Sequence, residues 1–116
     1  MGEVRAEVDK LNNKVKLEVF NLRAKLDRLN VPIDDKVTIG HIINRAEEIS
    51  GDMCTMACEA ADNYEKLQEK GDDAIDAEDC STHIRLMAKI HRASERVSGY
   101  LTTAECLIRT FDNDGY

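Results

Sequence analysis

The chain has 116 residues and a mass of 13.1 kDa, the size of one ordinary domain. Sixteen Lys and Arg against 23 Asp and Glu give a formal net charge of −7, with 34% charged residues, 4% aromatics, one Pro and no Trp. That composition fits long helices or a coiled coil better than a β sandwich or an α/β enzyme. No stretch approaches the roughly 20 apolar residues of a membrane span. The charged N-terminus lacks the apolar centre of a signal peptide, so a cytoplasmic location without a membrane partner is expected.

Helix one is predicted over residues 3–29. Val4, Val8, Leu11, Val15, Val19, Leu22, Leu26 and Leu29 recur at steps of three and four, a heptad seam with one stutter. Its first half is narrow and flanked by Glu7, Lys10, Asn12 and Lys14, the stripe a coiled coil buries. Asn30-Val31-Pro32 ends it, because Pro disfavours the helical conformation in the residue before it.

Helix two is predicted over 36–70, with Asp34, Asp35 or Thr38 capping its first amides. Its seam runs Ile39, Ile42, Ala46, Ile49, Met53, Met56, Ala60, Tyr64 and Leu67. Gly40 and Gly51 lie inside it and are read as places where a neighbouring helix comes close. Gly71 stops it.

Helix three is predicted over 77–111. One apolar column reads Leu86, Ile90, Ala93, Val97, Tyr100, Ala104, Leu107 and Phe111. A second reads Cys80, Ile84, Met87, His91, Ser94, Ser98, Leu101 and Ile108, so this helix can touch two others. Short connections make neighbours antiparallel. The expected fold is all-α, an elongated, coiled-coil-like antiparallel three-helix bundle forming one domain over 1–111, with a flexible tail at 112–116.

Charge is uneven along the chain. Residues 1–30 hold 7 basic and 5 acidic side chains (+2), 31–76 hold 4 and 12 (−8), and 77–116 hold 5 and 6 (−1). Net acidity disfavours nucleic acid, whose binding draws on many Lys and Arg contacts to phosphate. It suits a basic protein surface, or imitation of nucleic acid.

Glu48, Asp52, Glu59, Asp62 and Glu69 form an acidic column on helix two, interrupted by Thr55 and Lys66, and Arg85, Lys89, Arg92 and Arg96 a basic column on helix three. Antiparallel helices give facing residues a nearly constant number sum, and Asp52 with Arg96 and Glu59 with Lys89 both give 148, Asp62 with Arg85 gives 147. The columns are therefore expected to pair beside the seam.

The four cysteines, Cys54, Cys58, Cys80 and Cys106, sit in helical patterns and are read as reduced, mostly buried thiols. Cys54 and Cys58 lie one turn apart at the level of His91, with Met53 and Met56 close by, a soft-ligand set for Cu(I) or zinc. No second Cys or His pair completes it, so metal binding is not expected. His91, Ser94 and Ser98 with Asn12 and Asn13 are read as a polar layer that fixes register.

Glu47-Glu48 followed by Glu59-Ala60-Ala61-Asp62 resembles the acidic motifs of all-helical, Mg-dependent nucleotide pyrophosphohydrolases. The resemblance implies carboxylates converging on Mg²⁺ from two packed helices. Here both pieces lie on one helix and the third carboxylate of the first motif is missing. Asp112-Asn113-Asp114-Gly115 has too few ligands for a calcium loop. No Gly-rich phosphate loop or Ser-His-Asp grouping occurs.

The sequence thus points to a non-enzymatic helical protein–protein interaction module: an adaptor, an assembly component or a small acidic inhibitor. No catalytic residue, metal or cofactor is expected. Self-association as a homo-oligomer through helix one is expected from its narrow seam, and Lys10, Lys14, Glu47 and Glu65 are candidate contacts. The alternative is an oligomeric bundle holding an anionic small molecule such as a nucleotide through Arg85, Lys89, His91, Arg92, Ser94 and Arg96. The pyrophosphohydrolase-like enzyme is a third, remote reading.

Overall fold

A computed structural model describes residues 2–71 and 74–113. It contains three helices, α1 (Gly2–Arg28), α2 (Ile33–Lys70) and α3 (Ala77–Asn113), in a body of 65 × 20 × 17 Å. Among the described residues there is no strand. The heptad columns are the cause, since a two-in-seven stripe can be buried only against another helix.

α2 is the central element and packs against both neighbours, whereas α1 and α3 meet far more lightly. The register follows from specific pairs. Ser50 bonds Asn12 across α1–α2, and Lys70 pairs with Asp79 across α2–α3, so both pairs of neighbours are antiparallel. α1 and α3 consequently run parallel. Val8 shares a cavity with Ile90, Val15 with Val97 and Leu22 with Glu105, at offsets of 82, 82 and 83 residues.

The core is one continuous cluster. Val8, Val15, Val19, Leu22, Leu26 and Leu29 of the α1 side meet Ile39, Ile43, Ala46, Ile49, Met53, Ala57 and Ala60 of α2. α3 adds Ile90, Ala93, Val97, Leu101, Ala104 and Ile108. Most of the helix-one seam thus packs within its own chain, while Leu17 and Phe20 of α1 remain exposed.

α1 ends at Arg28 with a tightened last turn, Leu29 N–H donating to Leu26 C=O at 3.1 Å. α2 begins at Ile33, three residues before the expected start. Pro32, already fixed near helical φ at −54°, lets the chain re-enter a helix at once, and its carbonyl accepts from Asp35 and Lys36 amides. No side chain caps this end. Asp34 and Asp35 act instead through their charge on the positive end of the helix, and Thr38 donates to the Asp34 carbonyl. Lys36 reaches back to the Asp27 carbonyl at 3.2 Å, tying the start of α2 to the end of α1.

Gly71 ends α2 at φ +75°, with its amide on the Gln68 carbonyl. α3 is opened by a reciprocal cap in which the Asp76 carboxylate accepts the Asp79 amide at 2.9 Å and the Asp79 carboxylate accepts the Asp76 amide at 3.3 Å. α3 continues two residues beyond Phe111, so Asp112 and Asn113 belong to the helix and not to the tail. Asp72 and Asp73 of the turn and residues 114–116 of the expected tail lie outside the described residues.

The reading of Gly40 and Gly51 as close-approach points is corrected. A Cβ at either position would meet nothing within 4 Å. Gly51 is exposed and Gly40 half-buried.

Candidate functional site

The main feature is the open seam between α1 and α3. Because both helices are drawn onto α2, their facing edges leave a groove with three cavities in line, of about 240, 260 and 350 Å³. Val4, Val8, Leu11, Met87 and Ile90 floor the first. Leu11, Val15, Val97 and Leu101 floor the second, and Leu22, Leu29 and Ile108 the third. The rims are charged and of mixed sign: Lys14, Glu18 and Glu105 stand over the middle, and Lys25, Arg28, Arg109 and Asp112 over the far end. Arg109 is itself paired to Glu105 at 2.7 Å.

The candidate ligand set of α3 does not converge. Arg85, Lys89, Arg92 and Arg96 are all exposed and line none of these three cavities. Ser94 and His91 lie instead on the α1 side, in the groove. His91 is 75% exposed and sits 3.1 Å from Glu95 one turn on.

The expected pairing of charge columns is not made. Among the described residues, Asp52–Arg96, Glu59–Lys89 and Asp62–Arg85 are absent from the ion pairs within 4.0 Å. The ion pairs found are Arg23–Glu47, Arg45–Glu48, Lys70–Asp79 and Arg109–Glu105, and His91 Nε2 lies beside the Glu95 carboxylate. Met56, Leu86 and Tyr100 fill the α2–α3 seam edge, and both ridges stand outward beyond them. The register itself holds, since Lys70 with Asp79 and Tyr64 with His83 give sums of 149 and 147.

The polar layer is smaller than expected and centred elsewhere. Among the described residues, Ser50 is the one polar residue buried as a whole, and its hydroxyl donates to Asn12 Oδ1 at 2.7 Å. Asn13 and Ser98 are exposed and Ser94 half-buried. Ser50 went unread in the sequence, although a hydroxyl flanked by Ile49 and Met53 on the core face was its signal. Beyond about residue 60, α2 packs on α3 without α1 above it, because the Asn12–Ser50 register brings α1 to its start there. In that hairpin Tyr64 and His83 meet at 6.1 Å, and Asn63 Nδ2 and His83 Nδ1 are buried with no hydrogen-bond partner.

The cysteine reading is also corrected: all four are free, but only Cys54 is even half-buried, and Cys58, Cys80 and Cys106 are exposed. They occupy flanking and outer positions, where a small thiol need not fill the core. Burial pushes the Cys54 thiol up, and the Asp9 carboxylate adds to this. Among the described residues, no three or more of His, Cys, Asp and Glu are grouped so as to hold a metal, so Cys54, Cys58 and His91 do not form the imagined cluster. Of the acidic motif, Glu47 is engaged by Arg23 and Glu48 by Arg45, while Glu59 and Asp62 are exposed farther along the same helix. Among the described residues, no helix is long and apolar enough to cross a membrane.

The remaining candidate contacts are dispersed: Lys14 lines the groove, Lys10 and Glu65 lie exposed, and Glu47 is held by Arg23. Compared with protein-family models, curated proteins and solved structures, the chain matches none.

Proposed function

We propose that this chain is a non-enzymatic helical interaction module, an adaptor, assembly component or small inhibitor, that receives an amphipathic helix of another protein in the α1–α3 groove. The observation that carries this reading is the open seam. Two helices lean on a third and leave a trough with an apolar floor and charged rims along most of the body. A fourth helix laid there would complete a four-helix bundle, with apolar residues at i, i+3, i+4 and i+7 meeting Leu11, Val15, Leu101 and Ile108. The reading of an anionic small molecule on Arg85, Lys89, Arg92 and Arg96 gains no comparable support, since these cations enclose no pocket among the three found.

Photo-crosslinking tests it. A crosslinking side chain at Ser98, in the groove, is expected to capture a helical partner protein that the same side chain at Asn13, exposed on α1 outside the groove, does not. Thr102→Arg, which crowds the groove mouth, abolishes capture without lowering the melting temperature. Equal capture from both positions, or capture indifferent to Thr102→Arg, overturns the reading.

A further inference from the structure

Two ridges of opposite charge lie side by side on the face of the bundle that turns away from α1. On α2 they are Glu48, Asp52, Glu59 and Asp62, and on α3 Arg85, Lys89, Arg92 and Arg96, all exposed. The side is fixed by contacts. Glu47 and Ser50 reach α1 from one flank of α2, whereas Arg45, one heptad before Asp52, touches Glu48 and Tyr100 on the other. On α3 the groove-lining Ser94, Leu101 and Ile108 face α1, and Lys89 and Arg96 stand on the opposite flank. Among the described residues, Glu48 alone of these eight has an ion-pair partner, Arg45 of its own helix.

We propose that this face docks a second copy of the chain about a twofold axis parallel to the bundle, the acidic ridge of each copy lying on the basic ridge of the other. The charges select the axis. A twofold along the bundle preserves height and exchanges the two ridges across the interface. A twofold across the bundle, lying in the face, would set α2 on α2 and α3 on α3, like charge against like.

The register then fixes the pairs. Asp52 is level with Arg96, Glu59 with Lys89 and Asp62 with Arg85, at sums of 148, 148 and 147. Each pair unmade within the chain is made between copies, and each is made twice. The α1–α3 groove stays open in such a dimer, so this inference stands or falls separately from the groove's role.

Light scattering on the full chain tests it directly. At low salt the mass is expected to double from 13.1 kDa, and to return toward 13.1 kDa as salt rises from about 0.01 to 1 M and the screening length falls from about 30 to 3 Å. Reversing the basic ridge (Arg85→Glu, Lys89→Glu, Arg96→Glu) is expected to give a monomer. Reversing the acidic ridge (Asp52→Lys, Glu59→Lys, Asp62→Lys) is expected to do the same. An equimolar mixture of the two variants regains the doubled mass, because each then offers the other a complementary ridge at both contacts. A wild-type monomer at low salt overturns the proposal. So does a dimer indifferent to salt, or one that persists in either variant alone. The wild-type salt series decides the matter even if a variant fails to fold.

Discussion

Lys70 and Asp79 close the α2–α3 turn from either side of Gly71, with the ammonium 3.0 and 3.1 Å from the two carboxylate oxygens. Asp79 also accepts the Asp76 amide, so one side chain locks the turn and caps the following helix. Lys70 first, and the Asp76 amide second, hold the Asp79 carboxyl below the ordinary aspartate range, and Asp79 in return holds Lys70 above the ordinary lysine range.

The pH dependence of this pair follows by linkage. Asp79 has a depressed folded value, so its contribution is present above the ordinary aspartate range and is lost as pH falls through the folded value. Lys70 has a raised folded value, so its contribution is full below the ordinary lysine range and is lost as pH rises through the folded value. Lys70→Met is therefore expected to lower the melting temperature at neutral pH, and the gap to wild type narrows at both the acid and the alkaline end. Lys70 is exposed and Asp79 half-buried at the surface, so solvent screening keeps the effect modest. A gap that does not vary with pH would show that the pair contributes nothing.

The glycines separate by backbone conformation. Gly51 is exposed in a regular helix with open space around it, so Gly51→Ala is expected to stabilise the chain by about 0.5–1 kcal/mol through backbone entropy. Gly71 sits at φ +75° and ψ 159°, a region open almost only to glycine. Gly71→Ala is expected to destabilise by about 1–3 kcal/mol although no neighbour obstructs the methyl. Urea midpoints moving in opposite directions would confirm the pair.

The bundle was legible because burial repeats every seven residues: Ile39, Ala46, Met53 and Ala60 on α2 and Ile90, Val97 and Ala104 on α3 all fall in the core. The Gly71 turn was legible because its conformation demands that residue. What failed depends on azimuth and distance, which periodicity does not carry. The register sum correctly set the heights of Asp52 and Arg96, but not the lateral gap that leaves them unpaired. Cysteine counts gave no flank, so three exposed thiols were read as core. The α1–α3 groove could not be seen at all, because a heptad records that a residue is buried and not how tightly the third side of a bundle closes.

The Asn12–Ser50 bond predicts a clear non-additivity. Ser50→Ala leaves Asn12 Oδ1 without its partner in the α1–α2 seam and is expected to cost about 1 kcal/mol. Replacing both partners, Asn12→Leu with Ser50→Ala, is expected to restore or exceed wild-type stability, because no polar atom is then stranded. Urea unfolding of the four proteins of a double-mutant cycle measures this. Simple additivity would mean that the two side chains are bonded independently to water.

Thiol chemistry separates the cysteines by position. The thiolate is the reactive form, so both burial and a raised thiol value slow a cysteine. Cys58, Cys80 and Cys106 are exposed, whereas Cys54 is half-buried and pushed up by burial and by Asp9, with Lys16 pulling the other way. A chromogenic disulfide reagent is expected to titrate three thiols quickly and one slowly in the native protein, with the slow phase missing from Cys54→Ser. Asp9→Asn is expected to quicken the slow phase, because it removes a negative charge that disfavours the thiolate. Lys16→Gln slows it further for the opposite reason. Raising the pH narrows the difference as Cys54 ionises. Four thiols reacting at one rate would mean that α1 does not cover Cys54, and would bring the placement of α1 on α2 into question.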